Sequence, residues 1–350
     1  MQKRKRFLIK LLVVIGVMVL ILGIVKRVMF PKFEPLPVTG NHTVLSEMYT
    51  WIDENRIETY ENTGANREVT VKIWYPEEEG NYPLVVFSHG AGGILESNAS
   101  TCKELASNGY VAVAIAHPYQ AAFVKNVDGK VTIVNSEFMK QVMTDNGSDD
   151  PEHDKEYFEL AKEWMKVRIG DENFVLDTIL EKVQDGEGAP FDRIDRSKIG
   201  LFGHSLGGAT SVAVGRERDD ITAVIDIEGT MLEERTGYEN GVYTYCEEPY
   251  PIPILDINSR AVYEKAITQE QQYVNFYVGE HALWFQEVIF EDASHMNFCD
   301  LALASPILAK ALGTGDVDAR ICLENLNEIV LKYFNYYLKE EGVLDIKDAY

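Results

Sequence analysis

Residues 199–217, IGLFGHSLGGATSVAVGRE, constrain the architecture more than any other stretch of the chain. Ile199–Phe202 is short, apolar and β-prone, and ATSVAVGRE reads as a helix. Between them stands G-x-S-x-G, with Gly203 and Gly207 on either side of Ser205. A strand that turns this sharply into a helix needs small flanking residues, because backbone and helix come into contact there. The turn exposes the Ser205 hydroxyl as a candidate nucleophile. It also leaves the Leu206 N–H free to hold an oxyanion.

The rest of the chain keeps the same rhythm. VTVKIWY from residue 69 alternates like a half-buried strand. PLVVFS (83–88), VAVAIA (111–116), AVIDI (223–227), PIPILDI (251–257) and FQEVIF (285–290) are further strand candidates. SNASTCKELASNG, between PLVVFS and VAVAIA, has helical composition and a glycine stop. Leu160, Trp164 and Val167 recur at helical spacing, as do Val175, Ile179 and Val183, and Leu326 to Tyr337 marks a closing amphipathic helix. Alternating strands and helices predict a mostly parallel sheet with helices on both faces. The predicted catalytic domain spans 65–345. Irregular cap segments are expected near 118–156 (with NVDGK as a hairpin turn and DNGSDDPEHD as a polar loop) and near 229–250. Both follow strand C-termini, where sites of open α/β sheets form.

A second oxyanion donor is expected from a loop after an earlier strand. PLVVFSHGAGG supplies it, with the Ala91 amide favoured and Gly90 as the alternative. No G-K-[ST] follows, which argues against a phosphate cradle. In this type of fold the order is serine, then acid, then histidine. Among seven histidines, His281 and His295 follow Ser205 at a useful distance. His295, in EDASHMNF just past a strand, is the expected base, whereas His281 precedes that strand. The acid is open among Asp226, Asp256 and Glu228, which all end strands after Ser205.

Residues 1–30 stand apart. FLIKLLVVIGVMVLILGIV (7–25) is long enough to cross a bilayer at about 1.5 Å rise per residue. Lys3, Arg4, Lys5, Arg6 and Lys10 outnumber the basic residues just after it, which places the N-terminus in the cytoplasm and the catalytic domain outside. A secreted form after signal-peptide cleavage is the alternative, weakened by the lack of an A-x-A site. Residues 31–64, with Pro31, Pro35 and Pro37, read as a stalk and entry segment. Beyond residue 30 the chain holds 26 basic and 56 acidic residues, a formal charge of −30. Such a surface repels phosphate backbones, so nucleic-acid binding is disfavoured. Cys102, Cys246, Cys299 and Cys322 lack C-x-x-C spacing and predict no zinc site. They read as isolated thiols, with a Cys299–Cys322 pair left open.

YPLVVFSHGAGG, SKIGLFGHSLGGAT, AVIDIEGTM, PILDINSR and SHMNFCDL, in that order, resemble the plasma-type platelet-activating factor acetylhydrolases. The similarity runs over roughly 65–340 and includes the GD-x-D turn at 315–318. The resemblance implies an α/β-hydrolase fold, to which this chain adds the N-terminal transmembrane helix read above, a tether the plasma-type proteins lack. It further implies a serine carboxylic ester hydrolase acting through an acyl-enzyme, on short-acyl esters or phospholipid acyl groups, with no cofactor and no metal. By the same resemblance Ser205 is the nucleophile, Asp226 the acid and His295 the base. A peptidase or amidase with the same triad is the alternative activity, and an inactive membrane-tethered binding module the remaining one.

Overall fold

The computed structural model describes residues 2–144, 151–269 and 272–350. Eight strands build one sheet: β1 (Val44–Ile57), β2 (Asn66–Pro76), β3 (Tyr82–Ser88), β4 (Val111–Ala116), β5 (Ile194–His204), β6 (Ile221–Ile227), β7 (Ile254–Ser259) and β8 (Phe285–Phe290). Their spatial order is β1-β2-β4-β3-β5-β6-β7-β8. The β1–β2 and β2–β4 pairs are antiparallel, and every pair from β4–β3 onward is parallel.

The helices are α1 (Gln2–Met29), α2 (Ala99–Ser107), α3 (Ser136–Thr144), α4 (Pro151–Gln184), α5 (Leu206–Glu217), α6 (Arg260–Ile267), α7 (Val274–His281), α8 (Leu301–Ala304), α9 (Pro306–Leu312) and α10 (Ala319–Leu338). Strand β4 shows why both faces of the sheet are covered. Ala112, Ala114 and Ala116 face one core with α2 and α10, while Val111, Val113 and Ile115 face the other with α4 and α5. The alanine face lets α2 and α10 approach closely. The branched face fills the opposite layer, and each such side chain contributes about 1.5–3 kcal/mol when fully buried.

Two expectations change. Residues 44–57, expected within a stalk, form the 14-residue edge strand β1, paired along β2 from Val44↔Pro76 to Asp53↔Arg67. Its faces are largely exposed, so it lacks the apolar run that marks the inner strands. The polar loop DNGSDDPEHD falls partly on 145–150, outside the described residues, and from Pro151 the chain is already helical. The four cysteines are all free, which closes the Cys299–Cys322 option. NVDGK does join a small antiparallel ribbon, 123–125 with 131–133.

Within α1, Lys10–Met29 is the one helix among the described residues long and apolar enough to cross a membrane, and none of that window is buried. Its end meets the body of the fold where the Ser305 hydroxyl donates to the Met29 carbonyl.

Candidate active site

Ser205 sits between β5 and α5 with φ 57° and ψ −126°. A non-glycine residue at positive φ is strained, and such strain concentrates at functional sites. Two contacts hold the turn. The Ser205 N–H donates to the Ile227 carbonyl at 2.8 Å, and the Ala209 N–H donates to the Ser205 carbonyl at 3.1 Å. The glycines are sterically required: a Cβ on Gly207 would lie 1.9 Å from the Ser88 carbonyl oxygen, and one on Gly203 would lie 2.2 Å from the Gly207 backbone.

His295 opens a short 3₁₀ turn, His295–Phe298, beyond β8. Asn297 anchors that turn. Its Oδ1 accepts from the Ser294 N–H at 2.9 Å and from the Gly315 N–H at 2.7 Å, which ties in the GD-x-D segment. The His204 ring lies 4.5 Å from the His295 ring, centroid to centroid, and His204 Nε2 donates to the His295 carbonyl at 3.1 Å. Burial, with His295 nearby, pushes His204 well below the usual histidine range, so it supports the loop as a neutral ring.

The carboxylate that reaches His295 is Glu228. Its Oε2 accepts from His295 Nδ1 at 2.6 Å, and its Oε1 accepts from the Ser259 N–H at 2.8 Å. Glu228 has φ 53°, and its N–H donates to the Ile257 carbonyl at 2.7 Å. In a regular strand, residues two apart share a face. The left-handed turn at Glu228 breaks that pattern, and the longer side chain spans the gap to the imidazole.

Asp226, the acid expected from the resemblance, makes its hydrogen bond elsewhere than to His295. It is fully buried, and its Oδ1 accepts from the Gly229 N–H at 2.9 Å. The same oxygen lies where a Cβ on Gly208 would intrude, at 1.9 Å. Asp226 is in register with Asp256 on β7, which is in register with Glu287 on β8. Burial first, then the neighbouring Asp256 carboxyl, raises Asp226 well above the usual carboxylate range. Asp226 makes no hydrogen bond to His295, whose Nδ1 is taken by Glu228. Asp256 is likewise buried and raised, first by burial and then by Glu287. No residue pattern marks the left-handed backbone at Glu228; Gly229 after it is needed for space, since a Cβ there would lie 2.3 Å from Asp226 Oδ1.

Ser205, Glu228 and His295 line one cavity of about 260 Å³. Ala91 and Leu206 are on its wall. Neither the Ala91 nor the Leu206 N–H donates to a protein acceptor among the described residues. Trp164, Leu232, Val262 and Tyr273 supply most of the remaining apolar lining, with Val142 from α3 and Thr230 from the 229–250 stretch. Ser205 Oγ makes no hydrogen bond among the described residues; ligand-free sites of this kind are often loose and tighten on substrate. His281 ends α7 at the surface, bonded to the Tyr277 carbonyl, and does not line the cavity. Another cavity of about 300 Å³, beside Glu54, Glu58, Glu61 and Glu68, contains neither serine nor histidine. No group of three or more His, Cys, Asp or Glu side chains suited to a metal ion occurs among the described residues.

Residues 70–345 match the family model described as platelet-activating factor acetylhydrolase, isoform II. Curated relatives include the platelet-activating factor acetylhydrolase of Cavia porcellus, 23% identical over 267 residues covering 73% of this chain and 58% of the relative. That of Gallus gallus is 28% identical over 300 residues, 77% of this chain and 65% of the relative. The chain thus matches about three-fifths of the length of these relatives. The solved structure of a ferulic acid esterase from Streptomyces cinnamoneus superposes with TM-score 0.67 at 21% identity, covering 89% of this chain and 95% of that one. With the strand order above, that likeness makes the fold an α/β-hydrolase.

Proposed function

Because the chain belongs to the platelet-activating factor acetylhydrolase, isoform II family, we propose that it hydrolyses carboxylic esters of short acyl groups through Ser205, His295 and Glu228. The observation that carries this reading is the Glu228–His295 hydrogen bond in the cavity that Ser205 also lines. Glu228 holds the proton on Nδ1, which leaves Nε2 as the base. His295 takes the Ser205 proton as Oγ attacks the ester carbonyl, and the Leu206 and Ala91 amides hold the oxyanion. The imidazolium, balanced by Glu228, then protonates the departing alcohol. Water, activated by the same imidazole, releases the acid and frees Ser205.

The cavity size supports a short acyl group. About 260 Å³ lies below the roughly 300–1,000 Å³ of pockets that take drug-sized ligands. With Trp164, Leu232, Val262 and Tyr273 in its lining, a cavity of this size suits an acetyl or similarly small acyl group better than a long fatty acyl chain. The apolar helix α1 supports a membrane-anchored protein with the catalytic domain outside the cytoplasm.

The test is turnover of p-nitrophenyl acetate and butyrate by the parent and by Ser205→Ala, with fluorophosphonate labelling of both. The expected result is a loss of at least roughly 10⁴-fold in kcat and of all labelling in the variant. Undiminished turnover by Ser205→Ala would remove this serine from the chemistry.

A further inference from the structure

Arg168, on α4, is fully buried, and among the described residues its guanidinium makes no ion pair, with Asp171 and Glu172 acting on it at longer range. A buried cation without a direct counter-ion is costly and calls for hydrogen-bond acceptors in place of one. Its acceptors all belong to one small region. Nη1 donates to the His89 carbonyl at 2.5 Å, Nη2 donates to the Gly90 carbonyl at 3.4 Å, and Nε donates to Gln120 Oε1 at 2.6 Å. Gln120 in turn accepts from the Gly92 N–H at its own carbonyl, at 2.8 Å.

The two carbonyls identify what the guanidinium holds. The His89 oxygen belongs to the peptide whose N–H is that of Gly90. The Gly90 oxygen belongs to the peptide whose N–H is that of Ala91. In a trans peptide C=O and N–H point in opposite directions. Drawing both oxygens back toward Arg168 therefore turns both N–H groups forward. Gly90 packs against the nucleophile, and a Cβ on it would lie 3.0 Å from the Ser205 Cβ. Neither the Gly90 nor the Ala91 N–H has a protein acceptor among the described residues. His89 completes the clamp from the same side. Its Nε2 accepts from the His117 N–H at 3.3 Å, so its Nδ1 carries the proton and donates to the Gly90 carbonyl at 2.7 Å.

We propose that Arg168 is a positioning residue for the oxyanion hole, fixing and polarising from behind the two peptide units whose N–H groups face the Ser205 hydroxyl. This rests on the reading of Ser205 as nucleophile and of the loop amide as an oxyanion donor. Preorganised dipoles act where water is excluded, and removing one oxyanion donor costs roughly 10²–10³-fold in turnover. A donor left in place but freed to reorient costs less than its removal.

The experiment compares the full chain with Arg168→Met and Arg168→Lys. It measures kcat and KM on p-nitrophenyl acetate per active site titrated with a fluorophosphonate, thermal unfolding, and inhibition by an alkyl trifluoromethyl ketone. Ser205 Oγ adds to that ketone's carbonyl carbon, its proton passes to His295, and the former carbonyl oxygen becomes an oxyanion, so affinity reads the hole directly. Expected for Arg168→Met is a kcat loss of roughly 10–100-fold, KM within about threefold, and ketone affinity weakened in parallel with kcat. Arg168→Lys keeps the charge but not the planar fork, and falls between the two. If Arg168→Met does not fold, the lysine variant decides. A merely structural role would lower thermal stability and the fraction of titratable sites while leaving kcat per site and ketone affinity at parent values in both variants, and that result overturns the proposal. Ser205→Ala run alongside separates the two ideas: an active Ser205→Ala protein refutes the nucleophile, whereas an inactive one beside a fully active Arg168→Lys refutes only the role of the arginine.

Discussion

His295 Nδ1 lies 2.6 Å from Glu228 Oε2, while Asp226, two residues earlier, bonds its own loop through the Gly229 N–H. Two carboxylates in one segment, IDIEG, thus have different surroundings and different tasks. Glu228→Gln and Asp226→Asn distinguish them. Glu228→Gln is expected to lower kcat by about 10²–10⁴-fold, because an amide neither balances the imidazolium nor fixes its tautomer. Asp226→Asn keeps the side chain's size and an oxygen for the Gly229 N–H, and Asp226 does not contact His295, so kcat is expected within about tenfold of the parent. Steady-state rates on p-nitrophenyl acetate check both. Equal losses in the two variants would contradict the assignment.

Gly207 has no room for a methyl group, since a Cβ there meets the Ser88 carbonyl oxygen at 1.9 Å. Neither partner is a flexible side chain; both are backbone of the elbow and of β3. Gly207→Ala is expected to cost at least about 1–3 kcal/mol of stability through overpacking and to misplace Ser205 as well. Urea titration and fluorophosphonate labelling rates measure the two effects. A variant as stable and as reactive as the parent would show that the elbow yields.

Glu172 gives a pH signature in stability. It is fully buried on α4, and neither carboxyl oxygen has a hydrogen-bond partner of ordinary geometry. Burial pushes its carboxyl from 4.5 up to about 8. The native chain therefore binds this proton across a window in which the unfolded chain has released it. The stabilisation is complete below about pH 4.5 and is lost as pH rises toward about 8. One such proton gives a slope of about 1.4 kcal/mol per pH unit. Glu172→Gln is expected to flatten the decline in stability between pH 5 and pH 8 and to be the more stable protein at pH 8.5. Chemical denaturation at a series of pH values tests this, and parallel curves for the two proteins would show that Glu172 does not titrate in that window.

Leu232 is buried at the wall of the Ser205 cavity and is expected to limit acyl length. Leu232→Ala is expected to move the preferred p-nitrophenyl ester one or two carbons longer, each methylene accommodated changing kcat/KM by roughly 10–200-fold. Its own stability cost is expected at about 2–5 kcal/mol. An unchanged acyl profile in a folded variant would place the limit on another wall, with Trp164 as the next candidate.

Much of this protein is readable along the chain because the determinants are local. Short β-rich runs alternating with helices imply a covered parallel sheet, since each element must bury an apolar face. G-x-S-x-G between a strand and a helix locates the elbow because glycine is the only residue that fits at 203 and 207. His295 follows from chain order and from its position just past a strand. The edge strand β1 is not readable in this way: its pairing with β2 is made by backbone groups, and its exposed faces carry no apolar signature. The choice between Asp226 and Glu228 also belongs to the tertiary structure. It depends on a left-handed backbone angle at Glu228 and on what lies across from each side chain, Asp256 in one case and the His295 loop in the other. The same is true of Arg168, whose sequence neighbourhood is an ordinary amphipathic helix. Only folding brings its guanidinium behind His89 and Gly90, because the acceptors of a buried charge lie some 80 residues away along the chain.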